Sequence, residues 1–258
     1  MVQTLTLPKG TVHIWYSPLD LWRNRVGELK VLLSAEEIQR SEELVFQNRS
    51  EDYIISRGIL RKILAQYLGE APEFVSLELN TTGKPYLTSS RYHFNLSHSN
   101  NLFICGISRD TPIGIDLQQI YPISNIDTLI RNYFSPEEQQ IVNSVIDSRI
   151  QDLFFTIWTA KEAYLKGTGE GFQRPANNFT ICQWEHNLLT LKLKQETNSS
   201  LSTTWNIREL HISSDYKAAL AVKGNIVQIR SKAFIPGEKF LSPLEIFPSS
   251  ATISQDWF

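Results

Sequence analysis

Cysteine is nearly absent from this chain, with two in 258 residues. Cys105 and Cys182 stand far apart, so they offer neither a zinc-ligand spacing nor a disulfide framework. Each lies in an apolar, strand-like run (LFICGI and FTICQW), where a buried thiol is expected. A reduced, cytoplasmic setting is the default that follows. An excess of one charge sign is also missing. The net charge of −2 leaves no broad basic footprint for nucleic acid. No apolar run approaches the length that crosses a bilayer. The start, MVQTLTLPKGTVHIWYS, lacks a basic opening followed by a long apolar run, so no signal peptide is expected. Neither a Walker loop nor Gly-x-Gly-x-x-Gly is present, so any phosphate ligand is held by other means.

What is present is ordinary globular composition, 41% hydrophobic and 20% charged, enough for one large domain or two small ones. Thr11–Tyr16 reads as a first strand. Asp20–Leu33 and Ser34–Gln47 read as helices, the second opened by the capping box Ser34-Ala35-Glu36-Glu37. Glu51–Leu68 has apolar residues near helical spacing and ends at Gly69. Asn80–Lys84 is a turn. Arg91–Leu96 and Leu102–Ser108 read as strands around a loop that opens with Ser97-His98. Ile113–Leu117 is a short strand, Ser135-Pro136-Glu137-Glu138 starts a helix, and Asp152–Gly167 is a long one. Residues from Phe179 to about Ile235 alternate like strands.

The halves echo each other weakly: each has a long helix followed by strands, and each has an Ile-Cys pair. The expected fold class is therefore α+β, with a boundary near Pro112. The expected organisation is an N-terminal half over 1–112, a C-terminal half over 113–235 and a turn-rich extension over 236–258.

Two elements carry unusual polar residues. In Ile113-Gly114-Ile115-Asp116-Leu117-Gln118, alternation puts Asp116 and Gln118 on one face, with Gly114 leaving room beside them. Oxygen groups at that spacing suit a hard cation, though an exposed edge strand would also carry them. In FFTIWTAKEAYLK, the stems of Lys161 and Lys166 extend a stripe containing Phe154, Phe155, Trp158 and Leu165. A Glu162–Lys166 pair is worth only about 0.2–0.5 kcal/mol on a solvated face. Burying an unpaired charge costs several kcal/mol, so charges on an apolar helix point to a metal or an anionic ligand. Ser97, His98, Lys84 on its turn, and Arg40, Arg49 and Arg57 complete an inventory suited to a multi-phosphate ligand with magnesium.

Three blocks in this order resemble the larger, surfactin-synthetase-activating type of 4′-phosphopantetheinyl transferase. They are Gly83-Lys84-Pro85 with Phe94-Asn95-Leu96-Ser97-His98-Ser99, then Gly114-Ile115-Asp116, then Trp158-x-x-Lys161-Glu162-Ala163-x-x-Lys166. The resemblance covers roughly Ser34 to Gly171 well and the two ends poorly. It implies a monomeric pseudo-dimer of two α+β halves, with coenzyme A and Mg²⁺ in the cleft between them. It implies transfer of phosphopantetheine from coenzyme A to a serine of an apo acyl or peptidyl carrier protein, leaving adenosine 3′,5′-bisphosphate. The carriers would be those of fatty-acid, polyketide or nonribosomal-peptide synthesis, with no nucleic-acid or membrane partner.

Carried onto this sequence, Asp116 and Glu162 would ligate Mg²⁺. Glu162 would take the serine proton, and Lys166 would stabilise charge on the pyrophosphate and leaving group. Gly83, Lys84, Ser97, His98 and Lys161 would serve coenzyme A, and Arg40 its 3′-phosphate, with Arg49 and Arg57 as further candidates. The family pattern often has Glu where this chain has Gln118, so Gln118 is expected to touch the metal weakly or through water. Ile120–Phe134 is the expected carrier dock. The alternative function is a coenzyme A sensor that kept the cleft without the chemistry.

Overall fold

Ser34 and Ser135 each open a helix in the same way. The Ser34 hydroxyl accepts from the Glu37 amide, and the Glu37 carboxylate accepts from the Ser34 amide. Ser135 and Glu138 repeat the arrangement. Each box satisfies donors that a helix start leaves free. In this computed structural model the two boxes mark equivalent points of two halves built to one plan. The structure describes residues 4–171, 174–185, 188–191, 205–225, 228–237 and 245–246, with backbone alone for 182–191 and 245–246.

The first half runs β1 (Thr11–Pro18), a 3-10 turn (Leu19–Arg25), α1 (Val26–Lys30), α2 (Ala35–Glu42), α3 (Gln47–Leu68), a short hairpin of β2 (Leu77–Leu79) and β3 (Pro85–Leu87), and a long hairpin of β4 (Tyr92–Ser99) and β5 (Leu102–Arg109). The second runs β6 (Ile113–Gln119), α4 (Ile126–Tyr133), α5 (Pro136–Asn143), α6 (Asp147–Thr168), a short hairpin of β7 (Cys182–Glu185) and β8 (Leu188–Leu191), and a long hairpin of β9 (Trp205–Ser213) and β10 (Tyr216–Lys223). Each half lays its long hairpin beside its first strand, in the antiparallel orders β1-β5-β4 and β6-β10-β9.

The registers coincide as well. Cys105 and Ala219 are the fourth residues of β5 and β10. Trp15 pairs with the first and Asp116 with the second. Helices α3 and α6 are each 22 residues long, and each stops at a left-handed glycine, Gly69 (φ 73°) and Gly169 (φ 77°). Glycine takes that conformation without a Cβ penalty.

Three apolar cores follow. One lies between α3 and the first sheet, around Ile55, Ile59, Ile63, Trp15 and Phe103. The second lies under α6, around Phe154, Ile157, Phe134 and Ala219. The third joins the sheets face to face, with Ile14 and Ile104 against Ile115, Leu117 and Leu220. The strands between these layers are covered on both faces, which is why LFICGI is apolar throughout and Cys105 is buried.

The α+β class is the one expected, but several bounds differ. Residues 228–233, expected in the second half, form β11 (Gln228–Ala233), which runs parallel to β1 and extends the first sheet. The extension includes β12 (Glu245–Ile246), paired with β11; most of the rest of it, and the Cys182 side chain, lie outside the described residues. Asp20–Leu33 is a 3-10 turn followed by five α-helical residues, not one helix. The next helix stops at Glu42, because Phe46 is extended and serves as the N-cap of α3. That helix starts at Gln47 rather than Glu51, and α6 starts at Asp147 rather than Asp152. Ser97 and His98 are strand residues of β4, and the loop shrinks to Asn100 and Asn101, with Asn100 at φ 49°.

Candidate active site

Strands β4 and β6 are edges of different sheets, and side chains stitch them together. The Ile115 amide donates to Asn95 Oδ1 (2.8 Å) and the Gln119 amide to Ser99 Oγ (2.9 Å). These polar side chains do what a neighbouring strand's carbonyls would do. Between them the Ser97 hydroxyl donates to Asp116 Oδ1 at 2.9 Å. So the spacing of Asn95, Ser97 and Ser99 seals a seam and holds an acid within it.

Helix α6 closes the other side. An added Cβ on Gly114 would meet the Ala163 carbonyl oxygen at 2.0 Å and the Gly167 nitrogen at 2.3 Å. Glycine there lets α6 touch β6, which brings the helix to Asp116. Lys166 Nζ lies 2.6 Å from Asp116 Oδ1 and 3.0 Å from Ser97 Oγ. Asp116 is 1% exposed. Glu162 lies one turn before Lys166 on the same face. Burial, and then the charge of Asp116, raise the Glu162 carboxyl above its ordinary range, while Lys166 opposes the shift. Gln118 Nε2 reaches to 3.5 Å from Asp116 Oδ2.

Beside this centre a cleft of about 1580 Å³ opens in the first half. Its wall includes Arg40, Arg49, Arg57, Gly83, His98 and Asn101. Arg40 is exposed and pairs with Glu43 at 3.0 Å. Arg49 lies over the Phe46 ring. Arg57 is the most enclosed of the three, with a side chain 14% exposed. Its Nη1 is buried with no hydrogen-bond partner among the described residues, a donor left for a ligand. His98 joins cleft and centre. Burial lowers its pKa; Asp52 pulls it up, while Lys166 and Arg57 push it down. Asp52 and Arg23, also in the cleft wall, escaped the sequence analysis, since single charges on helices carry no signal of their own.

Three expected coenzyme A residues are engaged elsewhere: Ser97 with Asp116 and Lys166, and two lysines with other parts of the fold. Lys84 Nζ donates to the carbonyls of Ile113 (3.1 Å) and Gly167 (3.2 Å), tying the turn before β3 to β6 and the end of α6. Burial pulls its pKa down to about 8. Lys161 is 2% exposed, and its Nζ sits 2.7 Å from Glu138 Oε2 and donates to the Phe179 carbonyl. The expected stripe joining Lys161 to Lys166 does not exist, because five residues turn a helix by about 140°. Lys161 faces α5, whereas Lys166 faces β6. Among the described residues no three His, Cys, Asp or Glu side chains gather as a metal cluster, and no helix is long and apolar enough to cross a membrane.

Comparison with known proteins gives the family. Residues 112–221 match the family model of the 4′-phosphopantetheinyl transferase superfamily, and residues 21–108 match that of the 4′-phosphopantetheinyl transferase N-terminal region. The chain is 35% identical over 224 residues to the 4′-phosphopantetheinyl transferase HetI of Nostoc sp., covering 85% of this chain and 91% of that protein. It is 28% identical to the 4′-phosphopantetheinyl transferase psf-1 of Bacillus pumilus, over 72% of this chain and 78% of that one. Among solved structures, it is similar to a holo-(acyl-carrier-protein) synthase from Bacillus anthracis in complex with coenzyme A, at 19% identity and a TM-score of 0.35, covering 44% of this chain and 96% of that one. The chain belongs to the 4′-phosphopantetheinyl transferase family, in its larger form with two halves.

Proposed function

We propose that this transferase moves the 4′-phosphopantetheine group of coenzyme A to a serine of an apo carrier protein, in a magnesium-dependent reaction. The observation that carries the reading is the Asp116–Lys166 contact, with the Glu162 carboxyl raised beside it. Binding alone would need cations and donors, not two neighbouring carboxylates against a lysine.

Mg²⁺ fits the donor set. Asp116 and Glu162 offer oxygen ligands, and the charge of Asp116 pushes the Glu162 carboxyl up, a conflict that a cation relieves. One or two carboxylates plus phosphate oxygens are the usual protein share of a magnesium site. Bound there, the ion would neutralise charge on the pyrophosphate. Gln118 presents an amide nitrogen toward Asp116, so its part in such a site is indirect.

The chain's own groups divide the remaining work. Arg57, with its unpartnered Nη1, and Arg40 and His98 in the cleft wall would hold the phosphates. Gly83 borders the same space. Glu162 would take the proton of the carrier serine as the serine oxygen bonds to phosphorus. The bond to adenosine 3′,5′-bisphosphate breaks, and Lys166 would stabilise the charge on that leaving group. Ser97 would hold Asp116 and Lys166 in register. The carrier would approach over Ile120–Phe134, where Tyr121 is 53% exposed and leans edge-on against Phe155.

Intact mass spectrometry of an apo acyl carrier protein tests the proposal. Incubation with this protein, coenzyme A and Mg²⁺ adds one phosphopantetheine, and chelation of Mg²⁺ abolishes the gain. Coenzyme A binding with no gain on several unrelated carriers overturns it and favours a sensor.

A further inference from the structure

Lys161 is the fifteenth residue of α6, and Arg61 is the fifteenth residue of α3. Both cations are buried, at 2% and 3% exposed. Both grip the glutamate of the capping box in their own half. Arg61 Nε lies 2.8 Å from Glu37 Oε2, and Lys161 Nζ lies 2.7 Å from Glu138 Oε2. Both also donate to a carbonyl in the segment that follows their helix, Val75 at 2.8 Å and Phe179 at 2.6 Å. The Lys161 ammonium further lies over the Phe179 ring, 4.2 Å from its centroid.

Glu138 is fully buried, and its carboxylate has two further partners. It accepts from the Ser135 amide at 2.9 Å and from the Ile181 amide at 2.8 Å. The result is a clamp that joins α6 to the start of α5 and to residues 179–181. A buried, directional ion pair fixes both the rotation and the height of a helix, because a small displacement leaves charges unpaired.

The two clamps differ in what stands beside them. Arg61 is followed by Lys62, and Trp15 fills the place in β1 that Asp116 fills in β6. Lys161 is followed by Glu162, with Lys166 one turn further on. The same scaffold therefore holds a plain core in one half and a reactive centre in the other.

We infer that Lys161 is a positioning residue, which through Glu138 and the Phe179 carbonyl sets the rotation of α6 so that Glu162 and Lys166 meet Asp116. This rests on the transfer reaction proposed above. It gives Lys161 a role away from phosphate, and it makes Arg61 an internal control for kcat, a clamp of the same design whose glutamate neighbours Arg57 in the cleft wall rather than a group that reacts.

Steady-state transfer by the full chain, with coenzyme A, Mg²⁺ and an apo carrier, tests the inference in Lys161→Met, Lys161→Arg and Arg61→Met. Both methionine variants are expected to lower the melting temperature. At a temperature where both remain folded, Lys161→Met loses roughly tenfold or more in kcat with KM for coenzyme A nearly unchanged, as expected for misplaced groups. Arg61→Met keeps kcat. Lys161→Arg recovers most of the rate, since an arginine already makes these contacts in the first half. Should Lys161→Met not fold, Glu138→Gln replaces it with the same expected split. An unchanged kcat in Lys161→Met, an equal loss in Arg61→Met, or a raised KM with kcat intact overturns the inference. A wild-type protein that transfers nothing strikes the proposed reaction itself, and so separates the two failures.

Discussion

The Lys166 ammonium lies 2.6 Å from Asp116 Oδ1, with the Ser97 hydroxyl 3.0 Å from the same nitrogen. Asp116 is almost wholly buried, so this lysine supplies the countercharge that makes the carboxylate tolerable there. Removing it should therefore destabilise the protein as well as its chemistry. Lys166→Met is expected to lower the melting temperature in the absence of divalent cations. Mg²⁺ should then raise the melting temperature of the variant more than that of the wild type, because the ion takes over the countercharge. Differential scanning calorimetry with and without Mg²⁺ reads this directly. An equal response in both proteins would separate Asp116 from the metal.

Glu162→Gln tests the proton acceptor. The amide keeps the shape of the side chain but cannot take a proton, so transfer should vanish while the fold and coenzyme A binding persist. Near-normal transfer measured by carrier mass would end that role. In the same assay Gln118→Ala is expected to be mild and Asp116→Ala severe. Comparable losses would place Gln118 in direct contact with the metal.

Gly114 tests the approach of helix to strand. A methyl at that position meets the Ala163 carbonyl and the Gly167 amide, which are backbone atoms that cannot swing aside. Gly114→Ala is expected to cost roughly 3 kcal/mol or more, at the upper end of overpacking substitutions. It should also reduce transfer beyond what the folded fraction explains, since α6 must shift away from Asp116. Chemical denaturation combined with an activity assay separates the two effects. A stable, fully active variant would show that close contact is unnecessary.

Much of this centre was legible in the sequence because local pattern and chemistry coincided. The alternation of Ile113-Gly114-Ile115-Asp116 gave the correct faces, and the Ser34 capping box and the proline after Ser135 gave the correct helix starts. The stripe joining Lys161 to Lys166 fails because the partner of Lys161, Glu138, lies on another helix. Periodicity within one element cannot reveal a countercharge from outside it. The ties of Lys84 are hidden for the same reason, since its carbonyl partners lie in β6 and α6. Ser97 and His98 looked like loop residues because polar side chains in a strand usually mark its end. Here the strand edge faces another sheet, and Asn95, Ser97 and Ser99 are its means of attachment. The duplication stayed faint because the halves share register and clamps, whereas equivalent positions hold unlike residues, such as Trp15 and Asp116.

The first half buries a histidine of its own, and its titration is expected to contribute to the acid limit of stability. His13 Nδ1 bonds the Tyr67 hydroxyl at 2.8 Å, and that hydroxyl also accepts from Trp15 Nε1. His13 Nε2 is buried without a partner among the described residues. Burial, and then the nearby Arg230 cation on β11, lower the His13 pKa to about 4. The folded state thus favours the neutral ring, whereas the unfolded chain takes up a proton near pH 6.5. Stability from this residue is complete above that pH and declines as the pH falls toward 4. The loss there is about 3 kcal/mol. Other groups also titrate over this range, so the informative quantity is the difference between wild type and His13→Gln. The variant is expected to be less stable at pH 7.5, yet to lose less on acidification. Melting temperatures from pH 7.5 to 4 check this, and parallel pH profiles for the two proteins would show that His13 does not set the acid limit.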